Sequence, residues 1–326
     1  MSGSRPSLDD QGLEFRRTPY LDSLLRGRSA DDPLALQFLP DSREMHSLAH
    51  ERADPIGDGA HSPVPGIVHR YPDRVLLKAA HACAVYCRFC FRREMIGSNG
   101  TALMGDALDA AIDYIRGRPE VWEVILTGGD PFTLSARRLA DIIARLAAIA
   151  HLSIIRIHTR APIVAPDSID DPLIRALQNP LPVYLAVHVN HPDEITESVV
   201  AALRRLSDGG IVLLSQTVLL KGVNDDATVL ETLLRRLVRL KVRPYYLHHP
   251  DLAPGTSHFR VPIEAGQALM RALRGRLSGL CQPTYVLDIP GGYGKVPLGP
   301  DYIVRDSAGG RREIVDYCGE RHAYPE

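Results

Sequence analysis

Residues Val121 to His158 read VWEVILTGGDPFTLSARRLADIIARLAAIAHLSIIRIH, and the architecture turns on them. The two ends, Val121–Thr127 and Ser153–His158, are short apolar runs of strand length. Between them Ser135–Ile149 carries Leu139, Ile142, Ile143 and Leu146 on one helical face, with Ser135 placed as the N-cap. Strand, helix and strand in this order make a βαβ unit with parallel strands and a right-handed crossover.

The alternation continues in both directions. Further strands are expected at Arg74–Ala80, Val183–Val189, Ile211–Leu219, Arg243–His248 and Thr284–Asp288. Helices are expected at Gly105–Arg116, Asp171–Gln178, Thr196–Ser207, Asp226–Leu240 and Pro262–Leu277, with Thr196 as a second N-cap and Gly209-Gly210 as a helix stop. Six or seven such repeats predict an α/β fold, a full or partial TIM-like (βα) barrel, with an open doubly wound sheet as the lesser alternative. Chemistry then gathers at the C-terminal ends of the strands. Residues 1–65, rich in Asp, Pro, Ser and Arg, are expected to form a mostly helical N-terminal arm. The texture changes after Pro65-Gly66, so 66–300 is expected to be the barrel with its last glycine-rich loop, and 301–326 a C-terminal tail.

The 326 residues are 45% hydrophobic and 24% charged, with a formal net charge of −1. That balance suits a soluble enzyme and predicts no attraction to nucleic acid or to an anionic membrane surface. No apolar run is long enough to span a bilayer. The N-terminal MSGSRPSLDDQGLEFRR lacks the apolar core of a secretory signal, so a reducing cytoplasm is the expected setting.

Three of the five cysteines crowd into His81-Ala-Cys83-Ala-Val-Tyr-Cys87-Arg-Phe-Cys90-Phe-Arg92-Arg93, just after the first expected barrel strand. Three thiolates can hold three irons of a [4Fe–4S] cubane and leave the fourth iron open. An open iron is what S-adenosylmethionine (SAM) chemistry requires, since SAM chelates it through its amino and carboxylate groups. Zinc is the competing reading; it takes four ligands with paired spacings, and His81 would have to be the fourth. A non-catalytic metal or electron-transfer module would follow from that alternative. Cys281 and Cys318 stand alone and read as structural thiols. After the second strand, Thr127-Gly128-Gly129-Asp130-Pro131 offers a backbone that a ligand can approach closely. After the last strand, Asp288-Ile-Pro-Gly291-Gly292-Tyr-Gly294-Lys295 puts a lysine in a glycine-rich loop. Two roles are open to Lys295 from its residue type alone: cradling a phosphate, or a Schiff base with pyridoxal phosphate (PLP).

Taken together these motifs resemble the lysine 2,3-aminomutase family of radical SAM enzymes. So do His61-Ser-Pro-Val-Pro-Gly-Ile-Val-His-Arg70-Tyr71-Pro-Asp-Arg74, the segments His188–Thr196 and Gln216–Asp225, Arg243-Pro-Tyr-Tyr246 and His258-Phe-Arg260. The resemblance runs from about Thr18 to Tyr317. It implies that Cys83, Cys87 and Cys90 bind the cluster and that Lys295 is the catalytic lysine holding PLP. It implies SAM contacts from Gly128, Gly129, Asp130 and Gln216, and a phosphate cradle from Arg70, Tyr71 and Arg74. Arg92 would pair with the substrate carboxylate, and Asp251 and Asp288 with the side-chain ammonium of L-lysine. A two-pronged guanidinium and paired carboxylates are the donor sets those groups call for. The implied reaction moves the 2-amino group of L-lysine to C3, giving β-lysine, with an electron donor such as flavodoxin or ferredoxin. Glutamate is disfavoured by two carboxylates in the pocket, whereas arginine stays open. Longer family members carry a cysteine-rich, zinc-binding tail that this sequence lacks, so oligomeric state is left open. The short form resembles the branch serving elongation factor P, while the intact Pro-Gly-Gly-Tyr-Gly-Lys295 loop resembles the free-lysine enzymes.

Overall fold

The protein is described by a computed structural model covering residues 13–96, 102–305 and 312–324. Nine strands form one sheet in sequence order. β1 (Ile67–Tyr71) pairs antiparallel with β2 (Arg74–Ala80). Parallel pairing then runs through β3 (Glu123–Gly128), β4 (Ile154–Thr159), β5 (Val183–His188), β6 (Val212–Val218), β7 (Val242–His248) and β8 (Thr284–Asp288). β9 (Lys295–Pro297) closes the series antiparallel to β8. A doubly wound sheet reverses its strand order partway. This one never does, and residues from β1 through β9 line a single cavity. The sheet is therefore curled into a partial barrel, with β1 and β9 at its two edges.

Helices wrap the outside. Two short ones, α1 (Pro19–Leu25) and α2 (Pro33–Phe38), lie in the N-terminal arm, each with a proline in its first turn and capped by the side chains of Thr18 and Asp32. Long connections make up much of the rest of the arm. The crossovers carry α3 (Gly105–Arg116), α4 (Ala136–Ala147), α5 (Ala161–Val164), α6 (Asp171–Leu177), α7 (Glu197–Asp208), α8 (Ala227–Arg239) and α9 (Ile263–Leu273). α4 buries Leu139, Ile142, Ile143 and Leu146 against the sheet, and Ser135 caps it through Arg138 N. Thr196 caps α7 in the same way, and Gly210 turns away from its end at φ +82°. Such stripes meet Leu126, Ile155, Ile157 and Leu185 of the strands, all fully buried, in one continuous core.

Three differences from expectation have simple causes. β1 and β9 are short edge strands joined antiparallel to a parallel sheet, so neither is signalled by a following helix. Beyond them β10 (Ile303–Arg305), β11 (Arg312–Val315) and β12 (Arg321–Tyr324) form a separate antiparallel sheet. Its three- and four-residue strands lie mostly open to solvent, which leaves little apolar alternation to read. Cys281 is buried in the core and Cys318 is exposed. No helix among the described residues is long and apolar enough to cross a membrane.

Candidate active site

The curled sheet encloses a cavity of about 290 Å³ at the C-terminal ends of its strands. The residues that the resemblance assigns to cofactors and substrate line it: the three cysteines, Gly128–Asp130, Gln216, Arg70, Tyr71, Arg74, Arg92, Asp251, Asp288 and Lys295; His81 does not.

The cysteine loop leaves β2 and is gripped from below by the turn after β3. Gly129 N donates to Ala80 O (2.6 Å) and Asp130 N to Ala82 O (2.8 Å). A Cβ on Gly128 would lie 2.1 Å from Ala80 O, and one on Gly129 2.3 Å from Ala82 O. Only glycine allows backbones this close. The Asp130 carboxylate is buried and accepts from Thr159 Oγ1 (2.7 Å), Phe132 N (2.9 Å), Arg160 N (2.8 Å) and Ala161 N (3.1 Å). Its oxygens are thus committed to holding the ends of β3 and β4 together. With the Gly129 and Asp130 amides also paired, a ligand at this turn would meet carbonyls.

Burial pushes all three thiols up, Cys90 to about 11, while at Cys87 the Arg160 guanidinium pulls the other way. Arg160 Nη1 donates to Cys87 Sγ at 2.8 Å. Among the described residues, the His, Cys, Asp or Glu donors that gather in threes within 4.8 Å are Asp316, Glu320 and His322 on the C-terminal sheet, not the cysteines. Thiolates around one zinc ion, at Zn–S of about 2.3 Å, would be drawn closer than that. A wider set of three soft donors on one loop fits the separate irons of a cubane.

At the opposite edge, Lys295 opens β9, and its Nζ donates to Asp288, its cross-strand partner at the end of β8. The Lys295 amide donates to Tyr71 Oη (2.7 Å), and Gly294 at φ +90° leaves room for that hydroxyl. Arg74 lies over the Tyr71 ring at 3.9 Å and pairs with Asp73. Arg70 donates to Ile56 O (2.6 Å) and pairs with Asp58 (3.2 Å), and its buried Nε has no partner within the protein. Lys295, the Arg70 and Arg74 cations and the flat Tyr246 ring 6.0 Å from Lys295 Nζ fit an aromatic, phosphate-bearing aldehyde such as PLP.

Arg92 and the two aspartates complete the wall. Arg92 donates through Nε and Nη2 to Asp58 (3.2 and 3.0 Å) and through Nη1 to Thr127 Oγ1 (3.3 Å). Burial and the charge of Asp288 raise the Asp251 carboxyl to about 7 against the pull of Lys295 and Arg92.

Several residues here escaped the sequence reading. Asp58, 2% exposed, bridges Arg70 and Arg92; burial raises its carboxyl, but Arg92, Lys78 and Arg70 more than offset that and hold it below the usual range. His158, on β4 beside Gln216 (3.4 Å), and His248, on β7, are kept neutral by burial and by neighbouring cations. His188 lines the cavity, whereas His191 caps a short helical turn outside it. Arg160 had no motif to announce it. Asp58 carried a weak signal: it follows Gly57, whose φ of +67° lets the arm press against Gly292 of the lysine loop.

A family model described as the Radical SAM superfamily matches residues 77–233, and one described as Lysine-2,3-aminomutase matches residues 270–326. The L-lysine 2,3-aminomutase of Clostridium subterminale is 43% identical over 297 residues, 91% of this chain and 71% of that protein. That of Acetoanaerobium sticklandii is 45% identical over 90% of this chain and 70% of its own length. A glutamate 2,3-aminomutase of Clostridioides difficile is 36% identical over 91% of this chain and 71% of its own.

Proposed function

The chain belongs to the lysine 2,3-aminomutase family of radical SAM enzymes, and we propose that its own reaction moves the 2-amino group of L-lysine to C3, giving β-lysine, with PLP as a second cofactor. One observation carries this reading: Asp251, Asp288, Lys295 and Arg92 line the same cavity as the three cysteines. A substrate with a carboxylate at one end and an ammonium at the other finds a partner for each. A glutamate side chain would meet two carboxylates, a repulsion worth kilocalories in a buried site.

When bound, SAM on the reduced cluster would supply a radical able to take hydrogen from an unactivated carbon, and PLP a π-system to carry the migrating nitrogen. The chain's residues do the rest. Cys83, Cys87 and Cys90 hold the cluster on a loop pinned by Gly128 and Gly129. Arg92 takes the substrate carboxylate, and Asp58 fixes its guanidinium beforehand. Asp288 receives the Lys295 ammonium in the structure. The same carboxylate, with Asp251, is free for the substrate's side-chain ammonium once Lys295 is engaged with the cofactor. Gln216, beside the neutral His158, would contact SAM. An electron donor such as flavodoxin or ferredoxin would reduce the cluster.

Lys295→Ala tests the PLP arm directly. Wild type mixed with PLP should show an absorption band from the lysine-bound cofactor, and the variant should show only free PLP. A band unchanged in the variant would move the cofactor to another lysine, and no band in wild type would favour radical SAM chemistry without PLP.

A further inference from the structure

We propose that Arg160 is a positioning residue for the cluster: its buried guanidinium, hydrogen-bonded to Cys87 Sγ, fixes that sulfur and raises the reduction potential of the iron it ligates. The proposal rests on the reading that Cys87 is a cluster ligand.

Arg160 stands one residue past β4 and is 6% exposed. Nη1 donates to Cys87 Sγ at 2.8 Å, while Nη2 donates to Gln37 Oε1 (2.7 Å) and Glu194 Oε2 (2.8 Å). The guanidinium carbon lies over two rings, 4.5 Å from the centroid of Phe38 and 5.2 Å from that of Phe89, the residue before Cys90. Its backbone amide is held by Asp130. Glu194 is fixed in turn, accepting at 2.8 Å from both Asn190 N and His191 N. Gln37, from α2, also accepts from Asn190 Nδ2 at 3.0 Å. A flexible cation has been given one geometry, and its free edge points at sulfur.

The physical consequence has a sign. Adding an electron to a cluster makes its thiolate sulfurs more negative, so a positive donor in hydrogen-bond contact stabilises the reduced form more than the oxidised one. In a buried site this effect is little screened. Glu194 behind the guanidinium cancels part of that charge and leaves a dipole with its positive end toward Cys87. An Arg160 present only to neutralise Glu194 would leave the potential close to wild type when both charges are removed together.

The test uses the full-length chain, reconstituted anaerobically, with iron and sulfide analysis and a redox titration followed by electron paramagnetic resonance. Arg160→Gln alone would strand the Glu194 charge, so it is paired with Glu194→Gln. The double variant is expected to shift the midpoint at least tenfold in reduction equilibrium toward the oxidised state, about 59 mV for one electron. Glu194→Gln alone is expected to shift it the opposite way, because the guanidinium charge is then unshared. Unmoved potentials in variants with full clusters, or shifts of the reverse sign, would overturn the proposal. Should the double variant hold no iron, Arg160→Lys decides: it keeps the charge but loses the fixed donor to Cys87 Sγ, and a midpoint equal to wild type in a full cluster would overturn the proposal. A wild-type chain that takes up no [4Fe–4S] cluster would overturn the ligand reading itself, a result distinct from an unmoved potential.

Discussion

Asp251 is surrounded by charges from four directions: Asp288 at the end of β8, Lys295 on β9, Arg92 on the cysteine loop and Asp58 on the arm. Burial and Asp288 dominate and raise its carboxyl to about 7. It is a raised acid, protonated below that pH and ionised above it. An ammonium needs the ionised form. The KM for lysine should therefore fall as pH rises through about 7, since the substrate's own ammonium stays charged there. Asp251→Asn should raise KM by about ten- to a hundredfold, the loss of one charge-assisted hydrogen bond, and flatten this pH dependence. Steady-state kinetics across that range check both. A variant with unchanged KM would remove Asp251 from substrate binding. Arg92 is positioned in advance too, since Asp58 and Thr127 already hold three of its donors in place.

At the scale of elements, the turn after β3 is the support of the cysteine loop. A methyl on Gly129 has nowhere to go, because Ala82 O is held in place by Asp130 N. Gly129→Ala should cost about 1–3 kcal/mol and lower the melting temperature by several degrees. Because the strain falls on the loop carrying Cys83, iron retained per chain should drop as well. Melting and iron content both equal to wild type would contradict that support. The elements themselves were largely legible in the sequence. Parallel strands buried on both faces read as plain apolar runs, and β8 and α3 occupy the spans their patterns predicted. Edges read poorly: β1 and β9 take their conformation from a neighbouring strand, not from a periodicity of their own. Site residues followed the same division. Lys295 and the cysteines sit in strings dense with chemistry, whereas Arg160 is an ordinary arginine until Gln37 and Glu194 arrive from distant parts of the chain.

Across the whole molecule, the N-terminal arm ties together two loops more than two hundred residues apart in sequence. Glu44 takes Arg88 (2.5 Å) and Arg93 (2.7 Å) from the cysteine loop, all three side chains being buried. Further along, His61 meets Gly292 O at 3.0 Å and Gly57 packs on the same glycine of the lysine loop. The arm is in this sense part of the site, since it touches both loops. The proposed isomerisation of lysine draws on a cluster at Cys83, Cys87 and Cys90 and a cofactor at Lys295 in one cavity. It is tested most directly by incubating the reconstituted chain anaerobically with SAM, PLP, a strong reductant and L-lysine, and separating the products by chiral chromatography with mass detection. Arginine and glutamate are run alongside. β-Lysine is expected, and it should disappear in Cys87→Ala and in Lys295→Ala. Deoxyadenosine without β-lysine would contradict the assignment of lysine as substrate, and neither product from a chain shown to hold a full cluster would contradict the account as a whole.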